Sequence, residues 1–461
     1  MTTLKDLRSL LFVIMVGGLA AVLLSVRGVV AASGDGADNS GWAANAGWTE
    51  IGSGSATGGG ISHSTSAFAP SLAIDPDGKP VVAWYNSSSG IFDIYVKHWN
   101  GSSWVGMGSG SASDGGISHN ADSSLDPSLA IGSDGKPVVA WQDRSNGSSF
   151  EIYVRRWNGS AWLEVAGSAT GGGISHNAGD SVEPSLAIDR DGRPVVAWQD
   201  NSGGNNDIYV RRWNGSAWID LAGSAGDGGI SKNAGNSINP SLAIASDGNP
   251  IVAWEEYSGG NPEIYLRHWN GSSWAELGGS ATGGGISNTG HLGNWSRKPS
   301  LAIDHGGAPV IAWEHMGSTG FEIYARRWNG STWAELGGSA TGGGISDNAR
   351  DSVEPSLAIG SDGAPVVAWH DQSDGNNYQV YARRWNNSDW VEVSIGSATG
   401  PGISHSVVDA MHPSLAISPN GDPVVAWNDG TNLTNKWDIY IRRFSPTSMP
   451  FKAFTPVTLR P

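Results

Sequence analysis

The chain has 461 residues, no cysteine and a formal net charge of −16. The absence of cysteine excludes a disulfide framework, and the acidic balance argues against nucleic-acid binding, which needs clustered Lys and Arg. With 67 glycines, 23 tryptophans and only 15% charged residues, the composition is typical of an all-β protein built from short strands and tight turns.

The N-terminus has the layout of a secretory signal peptide over residues 1–32. Two basic residues precede an apolar run over 10–26, and small residues follow it. We expect cleavage after Ala31 or Ala32, then a linker over 33–46, and a secreted or cell-surface protein. An uncleaved membrane anchor is the alternative, because the run has about 17 residues, close to the minimum for a spanning helix. We expect no membrane contact beyond this segment.

The motif Pro-Ser-Leu-Ala-Ile then occurs seven times, with successive copies 56 to 59 residues apart. The copies begin at Pro70, Pro127, Pro184, Pro240, Pro299, Pro355 and Pro413. Each continues into a Pro-Val-Val-Ala-Trp-like segment, an Ile-Tyr-Val-Arg-Arg-Trp-like segment, a turn and a second Trp. A repeat of this length decides the fold, since each copy is one supersecondary unit.

The second copy shows what one unit contains. Its apolar or alternating segments are separated by turn dipeptides such as Asp134-Gly135 and Asn158-Gly159. The segments lie at 127–131, 137–141, 151–157 and 161–166. Four antiparallel strands in about 57 residues predict one blade of a β-propeller.

The two ends of the array predict how the ring closes. The seventh copy stops after its third strand, at 439–444, and the missing fourth strand has its match near the N-terminus, at 47–52. A closed ring needs this exchange because it removes both free sheet edges. The fold class is therefore all-β: a seven-bladed β-propeller over 47–445 with four strands per blade, followed by a tail over 446–461.

Twenty of the 23 tryptophans fall at three repeated positions, as at Trp141, Trp157 and Trp162. Blades pack face to face, and tryptophan buries a large area per residue, so we expect these side chains in the core between blades. A sugar-stacking role is the alternative for those near loop ends.

The long, variable connections follow the second and fourth strands and share one side of the ring, here called the variable-loop face. Binding residues usually lie on such loops. After the strand-two tryptophan the loops carry acids, amides and Ser, and we take these as candidate ligand-binding residues: Asp143, Asp200, Asn201, Asn206, Glu256, Asp371 and Asp429.

These loops have two competing interpretations besides ligand binding. Alternating oxygen-bearing side chains with a later acid, as at Asp200, Ser202 and Asp207, have some likeness to a calcium loop. The other interpretation is an Asx- or Ser-stabilised turn with an acid paired to the Arg-Arg strand. The prediction is no cofactor and no metal, with calcium as the alternative.

The most divergent stretch of the repeats is 288–298, which carries His291, Trp295 and Arg297. A single asymmetric site, if the protein has one, is expected there, and Trp295 is a further candidate ligand-binding residue.

The arrangement resembles secreted bacterial propellers of the sialidase-like class and seven-bladed propeller lectins with Trp-rich repeats. The resemblance covers 48–444 and rests on the architecture and on the Trp-Asn-Gly-Ser-x-Trp hairpin. It implies a propeller fold and no particular activity. The sialidase Asp-box, Ser-x-Asp-x-Gly-x-x-Trp, is not matched, because Ser133-Asp134-Gly135 is followed by Trp only at Trp141.

Seven near-copies favour several similar sites, which gain strength by multivalency on one rigid ring. We therefore expect a secreted, non-enzymatic module that binds glycans or extracellular proteins through the variable-loop face, and no catalytic residue is assigned. The alternative is a sialidase-like glycoside hydrolase with one site at the central channel, which requires non-repeating residues to converge there. A third possibility is a structural spacer.

Overall fold

The structure is a computed structural model. It describes residues 47–445 except 65, 88–89, 289–293, 318–319, 349, 374, 376 and 432–435. The predicted signal peptide, linker and C-terminal tail lie outside these residues, as does His291. Within the described part, no helix is long and apolar enough to cross a membrane.

The first four blades follow the chain without interruption. Blade 1 consists of β2 (Ala67–Ile74), β3 (Pro80–Asn86), β4 (Asp93–Trp99) and β5 (Trp104–Gly106). Blade 2 consists of β6 (Ser124–Ile131), β7 (Pro137–Asp143), β8 (Glu151–Trp157) and β9 (Trp162–Glu164). Blade 3 consists of β10 (Ser181–Ile188), β11 (Pro194–Asp200), β12 (Asp207–Trp213) and β13 (Trp218–Asp220). Blade 4 consists of β14 (Ser237–Ile244), β15 (Pro250–Glu256), β16 (Glu263–Trp269) and β17 (Trp274–Ala275).

The last blade takes its fourth strand from the start of the chain. Blade 5 consists of β18 (Ser296–Ile303), β19 (Pro309–Met316), β20 (Phe321–Trp328) and β21 (Trp333–Glu335). Blade 6 consists of β22 (Ser352–Ile359), β23 (Pro365–Asp371), β24 (Gln379–Trp385) and β25 (Trp390–Glu392). Blade 7 consists of β26 (Ala410–Ile417), β27 (Pro423–Thr431), β28 (Lys436–Ser445) and β1 (Gly47–Glu50).

The seven four-stranded antiparallel sheets form a closed ring. The first strand of each blade is innermost, and each contacts the first strand of the next, with β26 returning to β2. Strand β1 pairs with β28, placing Gly47 opposite Ser445 and Trp48 opposite Phe444. Both the seven-bladed fold and its closure by the N-terminal strand are confirmed.

Tryptophan fills the space between blades, as predicted. The strand-two tryptophans are fully buried: Trp84, Trp141, Trp198, Trp254, Trp313, Trp369 and Trp427. Six of the seven fourth-strand tryptophans donate a hydrogen bond to a carbonyl before them in the ring, for example Trp162 Nε1 to the Met107 carbonyl at 2.9 Å, and Trp48 is the exception. These side chains are structural, since their rings and most of their indole N–H groups are used within the ring of blades.

A second contact joins neighbouring innermost strands in all seven blades. The serine of each Pro-Ser-Leu-Ala-Ile motif accepts a hydrogen bond from the leucine N–H of the next copy, as Ser128 Oγ does from Leu186 N at 3.0 Å. The other serine acceptors are Ser71, Ser185, Ser241, Ser300, Ser356 and Ser414. This uninterrupted circle, here called the serine ring, explains why the motif is the same in every copy.

Candidate functional site

A bulge interrupts each innermost strand just before its proline. In blade 3, Val182 pairs with Gln199 but the next pair is Ser185 with Ala197, and Glu183 between them has φ 55°. The left-handed region is uncommon for a residue with a Cβ and costs about 1–3 kcal/mol. Such bulges re-aim a side chain, and here the residue before the proline turns into the central channel.

All seven residues at this position line one cavity of about 440 Å³. They form what we call the channel ring: Ala69, Asp126, Glu183, Asn239, Lys298, Glu354 and His412. The seven motif prolines and five of the motif serines complete the wall. The backbone is the same in every blade, yet the side chains include an acid, an amide, an amine and an imidazole, so the cavity has no sevenfold symmetry.

A second set of polar side chains holds the bulges in place. The residue after each strand-two tryptophan forms this support ring: Tyr85, Gln142, Gln199, Glu255, Glu314, His370 and Asn428. Four of its members accept the backbone N–H of a channel-ring residue in the next blade. Gln142 accepts it from Glu183 at 2.9 Å, Gln199 from Asn239 at 2.9 Å, Glu255 from Lys298 at 3.3 Å, and Glu314 from Glu354 at 3.0 Å.

Glu354 and His412, in adjacent blades, form a close pair. His412 Nδ1 lies 2.5 Å from Glu354 Oε2. Burial by itself raises the pKa of Glu354, but the hydrogen bond and charge of His412, with further help from His370 and Lys298, lower that pKa to about 2. Glu354 is therefore an ionised carboxylate at any ordinary pH, and the same contact raises the pKa of His412 despite burial.

Asp126 has the opposite electrostatic environment. Burial raises its pKa to about 7, and the carboxylate of Glu183 in the next blade adds to the effect. The charges of Lys298 and His412 act in the other direction. Asp126 can therefore hold or release a proton near neutrality. The cavity thus contains one carboxyl group poised to exchange a proton and another, Glu354, that stays ionised.

A chain of hydrogen bonds crosses the polar side of the cavity. Lys298 Nζ donates to Asn239 Oδ1 at 3.0 Å, and Asn239 Nδ2 donates to Glu255 Oε2 at 2.9 Å. The Tyr257 hydroxyl donates to the other Glu255 oxygen at 2.5 Å. These contacts fix the amine and the amide, and both residues line the cavity.

Blade 1 gives the cavity an aromatic side. Its channel-ring residue is the small Ala69, and the rings of Phe68 and Tyr85, 5.6 Å apart, also line the cavity. Burial raises the pKa of Tyr85 to about 12, and the charges of Asp126 and Glu183 add to this effect. The Tyr85 hydroxyl therefore stays protonated beside the two acids, next to an apolar ring surface.

The loop acids predicted as ligand-binding residues lie elsewhere. Asp143 and Asp200 are 0% exposed, and the other three acids are buried as well, these being Glu256, Asp371 and Asp429. Asp200 accepts hydrogen bonds from Ser181 Oγ at 2.6 Å and from Trp198 Nε1 at 3.3 Å. These carboxylates accept hydrogen bonds from indole and hydroxyl donors inside the blades. Asp429 also lines a smaller cavity of about 260 Å³, whose lining shares no residue with the channel cavity.

The predicted amides Asn201 and Asn206 lie at the surface of the same loop of blade 3, on the variable-loop face. Asn201 Oδ1 accepts the Asp180 N–H at 2.7 Å, and the Asn206 N–H donates to Asn236 at 3.0 Å. Both residues hold neighbouring loops together, and the structure does not bring them to the channel cavity.

The calcium alternative placed Asp200, Ser202 and Asp207 around one ion. Ser202 N donates to Asp200 at 3.0 Å, as in an Asx turn, whereas Asp207 accepts Ser231 Oγ at 2.7 Å. Among the described residues, no three His, Asp or Glu side chains are arranged to hold a metal ion. The turn interpretation fits these contacts.

The sequence predicted that a loop acid pairs with the Arg-Arg strand. In the structure, an acid from a different turn occupies that place. In blade 3, Arg212 pairs with Asp189, which belongs to the tight turn after the first strand. The other arginine of the pair, Arg211, donates to the Ile174 carbonyl of the preceding blade at 2.5 Å. The Arg-Arg segment therefore joins turns and blades and takes no part in the cavity.

The divergent stretch 288–298 supplies two residues that matter. Lys298 belongs to the channel ring, and Arg297 pairs with Glu314 of the support ring at 3.0 Å. The other residues of the channel ring were not predicted from the sequence, although the sequence contains a pattern that marks them. The residue before Pro-Ser-Leu-Ala-Ile changes in almost every copy of an otherwise constant motif.

No protein-family model matches the chain, and no curated protein matches its sequence. Among solved structures, it is similar to an ulvan lyase, described as a new family of polysaccharide lyase, at 12% identity and a TM-score of 0.49, covering 82% of this chain and 94% of that one. A Dyadobacter fermentans protein of unknown function is 13% identical over 70% and 93% of the two chains, with a TM-score of 0.45. An α-L-arabinofuranosidase of Fusarium graminearum is 11% identical over 69% and 92%, with a TM-score of 0.39.

The prediction of a non-enzymatic module with several similar sites is wrong. The groups that converge on the channel differ from blade to blade, whereas the repeated loop acids are buried. Two of the solved structures above are described as enzymes, and similarity at this level carries no argument about activity. Convergence of unlike residues on the central channel was the condition set for the alternative, a hydrolase with one site, and the structure meets it.

Proposed function

We propose that this protein is a glycoside hydrolase with a single site at the channel ring. The observation that carries the proposal is the presence of two carboxyl groups with opposite environments in one cavity, Asp126 and Glu354. Glycoside hydrolysis uses such a pair, one acid that supplies a proton and one carboxylate that stays ionised.

Each group has a defined part in the reaction. Asp126 gives its proton to the glycosidic oxygen while the bond from that oxygen to the anomeric carbon breaks. Water then adds to the anomeric carbon and gives its proton to the Asp126 carboxylate, which restores the acid. Glu354 stabilises the positive charge that develops on the sugar ring, and His412 keeps Glu354 ionised throughout.

The wall of the cavity suits a sugar. An aromatic surface from Phe68 and Tyr85 can stack against the apolar face of a pyranose or furanose ring. Asn239, Lys298 and Glu183 offer donors and acceptors for its hydroxyl groups. The volume of about 440 Å³ falls within the roughly 300–1,000 Å³ of small-molecule sites.

We also propose that the substrate is an extracellular glycan. The signal-peptide layout of residues 1–32 supports export. The channel ring lies in the first half of each innermost strand, near the end that the variable-loop face supplies. Protein ligands, the other partner class expected from the sequence, have no counterpart in a cavity of this size and polarity.

The test is a screen for reducing ends released from soluble polysaccharides and aryl glycosides. The wild-type protein and an Asp126→Asn/Glu354→Gln double variant are compared on the same panel. Cleavage by the wild type and none by the double variant supports the proposal. Equal cleavage by both would place the chemistry outside the channel, and a wild type that cleaves nothing in the panel counts against hydrolysis.

A further inference from the structure

The chain enters each innermost strand from the variable-loop face through a position four residues before the motif proline, here called the rim position. Its occupants are Ser66, Ser123, Asp180, Asn236, Trp295, Asp351 and Asp409. In several blades its side chain caps a loop of the preceding blade. Asp180 accepts the Phe150 N–H at 2.9 Å, and Asp351 accepts the Phe321 N–H at 2.9 Å.

Blade 5 breaks this pattern with Trp295. The backbone position that corresponds to Phe150 is Pro262 in blade 4: Ser181 N donates to the Phe150 carbonyl, and Ser296 N donates in the same way to the Pro262 carbonyl. Because proline has no N–H, no cap is required at this junction. At Trp295, therefore, the rim side chain has no N–H of the preceding blade to cap. Trp295 is 41% exposed.

The exposed indole is held in a fixed orientation. The Arg297 guanidinium lies 5.5 Å from the centre of the Trp295 ring and 4.3 Å from that of Phe321. Arg297 is itself anchored by Glu314 at 3.0 Å, and the Trp295 carbonyl accepts the Met316 N–H at 2.7 Å. A platform that is already ordered loses little conformational freedom when a ligand stacks on it.

Trp295 is not part of the cavity lining, and it belongs to the segment that enters the innermost strand of blade 5. It precedes Lys298 of the channel ring by three residues, or about 10 Å of extended strand at roughly 3.3 Å per residue. Phe68 and Tyr85 line the cavity at blade 1, which is separated from blade 5 by two blades in one direction and three in the other. The acid–base groups lie between these two aromatic surfaces.

We infer that Trp295 is a subsite for a sugar unit outside the cavity, so that the substrate is a glycan chain crossing the channel mouth from blade 1 to blade 5. This inference rests on the proposed hydrolase. A disaccharide that stays inside the cavity does not reach the indole, whereas an oligosaccharide or polysaccharide stacks on both aromatic surfaces and presents an internal bond to Asp126.

The experiment compares Trp295→Ala and Trp295→Phe on two substrates, the longest and the shortest glycans that the wild type cleaves. Loss of the indole raises KM for the long substrate about tenfold, equivalent to about 1.4 kcal/mol, and leaves the short substrate unchanged. Trp295→Phe restores most of the loss because a phenyl ring still stacks. Ile395→Ala is the control, since it removes another exposed apolar side chain.

Two results would overturn the subsite: an equal loss on both substrates, or no loss on either. Retardation in gels that contain the soluble polysaccharides separates this inference from the proposed hydrolase. Retardation that depends on Trp295, without any cleavage, supports the sugar subsite and contradicts the proposed hydrolase. Cleavage with KM independent of Trp295 keeps the hydrolase and removes the subsite, and a protein that neither cleaves nor is retarded loses both.

Discussion

Each innermost strand contributes one residue to the serine ring and one to the channel ring, two positions apart. The residue is the same in every blade at the first position and differs between blades at the second. Ser128 and its six counterparts are identical and bond each blade to the next. Asp126 and its counterparts share one backbone conformation but carry chemically different side chains. The position that closes the ring is constrained in every blade, whereas the position that faces the cavity is free to diverge, and this divergence is where one site can arise on a repeated scaffold.

A substitution in the asymmetric channel ring has the largest expected effect, and the effect is on activity. Asp126→Asn keeps the size of the side chain but removes the acid, so kcat/KM falls by about 10²–10⁴-fold with little change in Tm. Asp77→Asn, a carboxylate with a 77% exposed side chain in a tight turn, serves as the control and keeps full activity. Equal losses in both variants would mean that the cavity is not the site.

For the serine ring, which is the same in every blade, we expect equal losses of stability from equivalent substitutions. Ser128→Ala leaves the Leu186 N–H without its acceptor, at a cost of about 1–3 kcal/mol, and Ser185→Ala and Ser241→Ala cost the same because their contacts match. Urea unfolding of the three variants measures this. Ser216→Ala, in an exposed turn, is the control with little effect, and strongly unequal losses would contradict the structural equivalence.

The pH dependence sharpens the role of Asp126. Its proton must be present in the free enzyme, so kcat/KM falls above about pH 7, by roughly tenfold per pH unit. Glu183→Gln removes a neighbouring negative charge that raises the pKa of Asp126, and the fall then begins at a lower pH. If the pH–rate profile is the same in both proteins, the proton that controls the rate does not belong to Asp126.

The smallest expected effect concerns the Glu354–His412 pair. The lowered pKa of Glu354 stabilises the folded protein above the ordinary value of 4.5, and this contribution is lost as pH falls through about 2. The raised pKa of His412 stabilises it below the ordinary value of 6.5, and this is lost as pH rises through the folded value. His412→Gln therefore lowers Tm most between pH 4.5 and 6.5 and least near pH 2. A constant difference in Tm at all pH values would contradict the pairing.

The fold could be predicted because repeat length, strand periodicity and the displaced fourth strand each point to the same ring. The closure of β28 by β1 follows from matching 47–52 to the fourth strand of other copies. The tryptophan core follows in the same way from face-to-face packing of blades.

The site could not be predicted from strand alternation, because a bulge changes the direction of a side chain without changing the sequence pattern. Glu183 and its counterparts look like ordinary strand residues, and their left-handed φ is visible only in three dimensions. The burial of the loop acids has a related cause. Trp198 and Asp200, two residues apart on one strand, point to the same side, so the carboxylate meets the indole N–H inside the blade.

The most direct test of one asymmetric site against seven similar ones is the stoichiometry of binding. The ligand is the shortest oligosaccharide that the wild type cleaves, titrated calorimetrically into Asp126→Asn, which binds it without turnover. The asymmetric channel predicts one molecule bound per chain. Six or seven equivalent sites per chain would contradict it and return the function to the repeated loops.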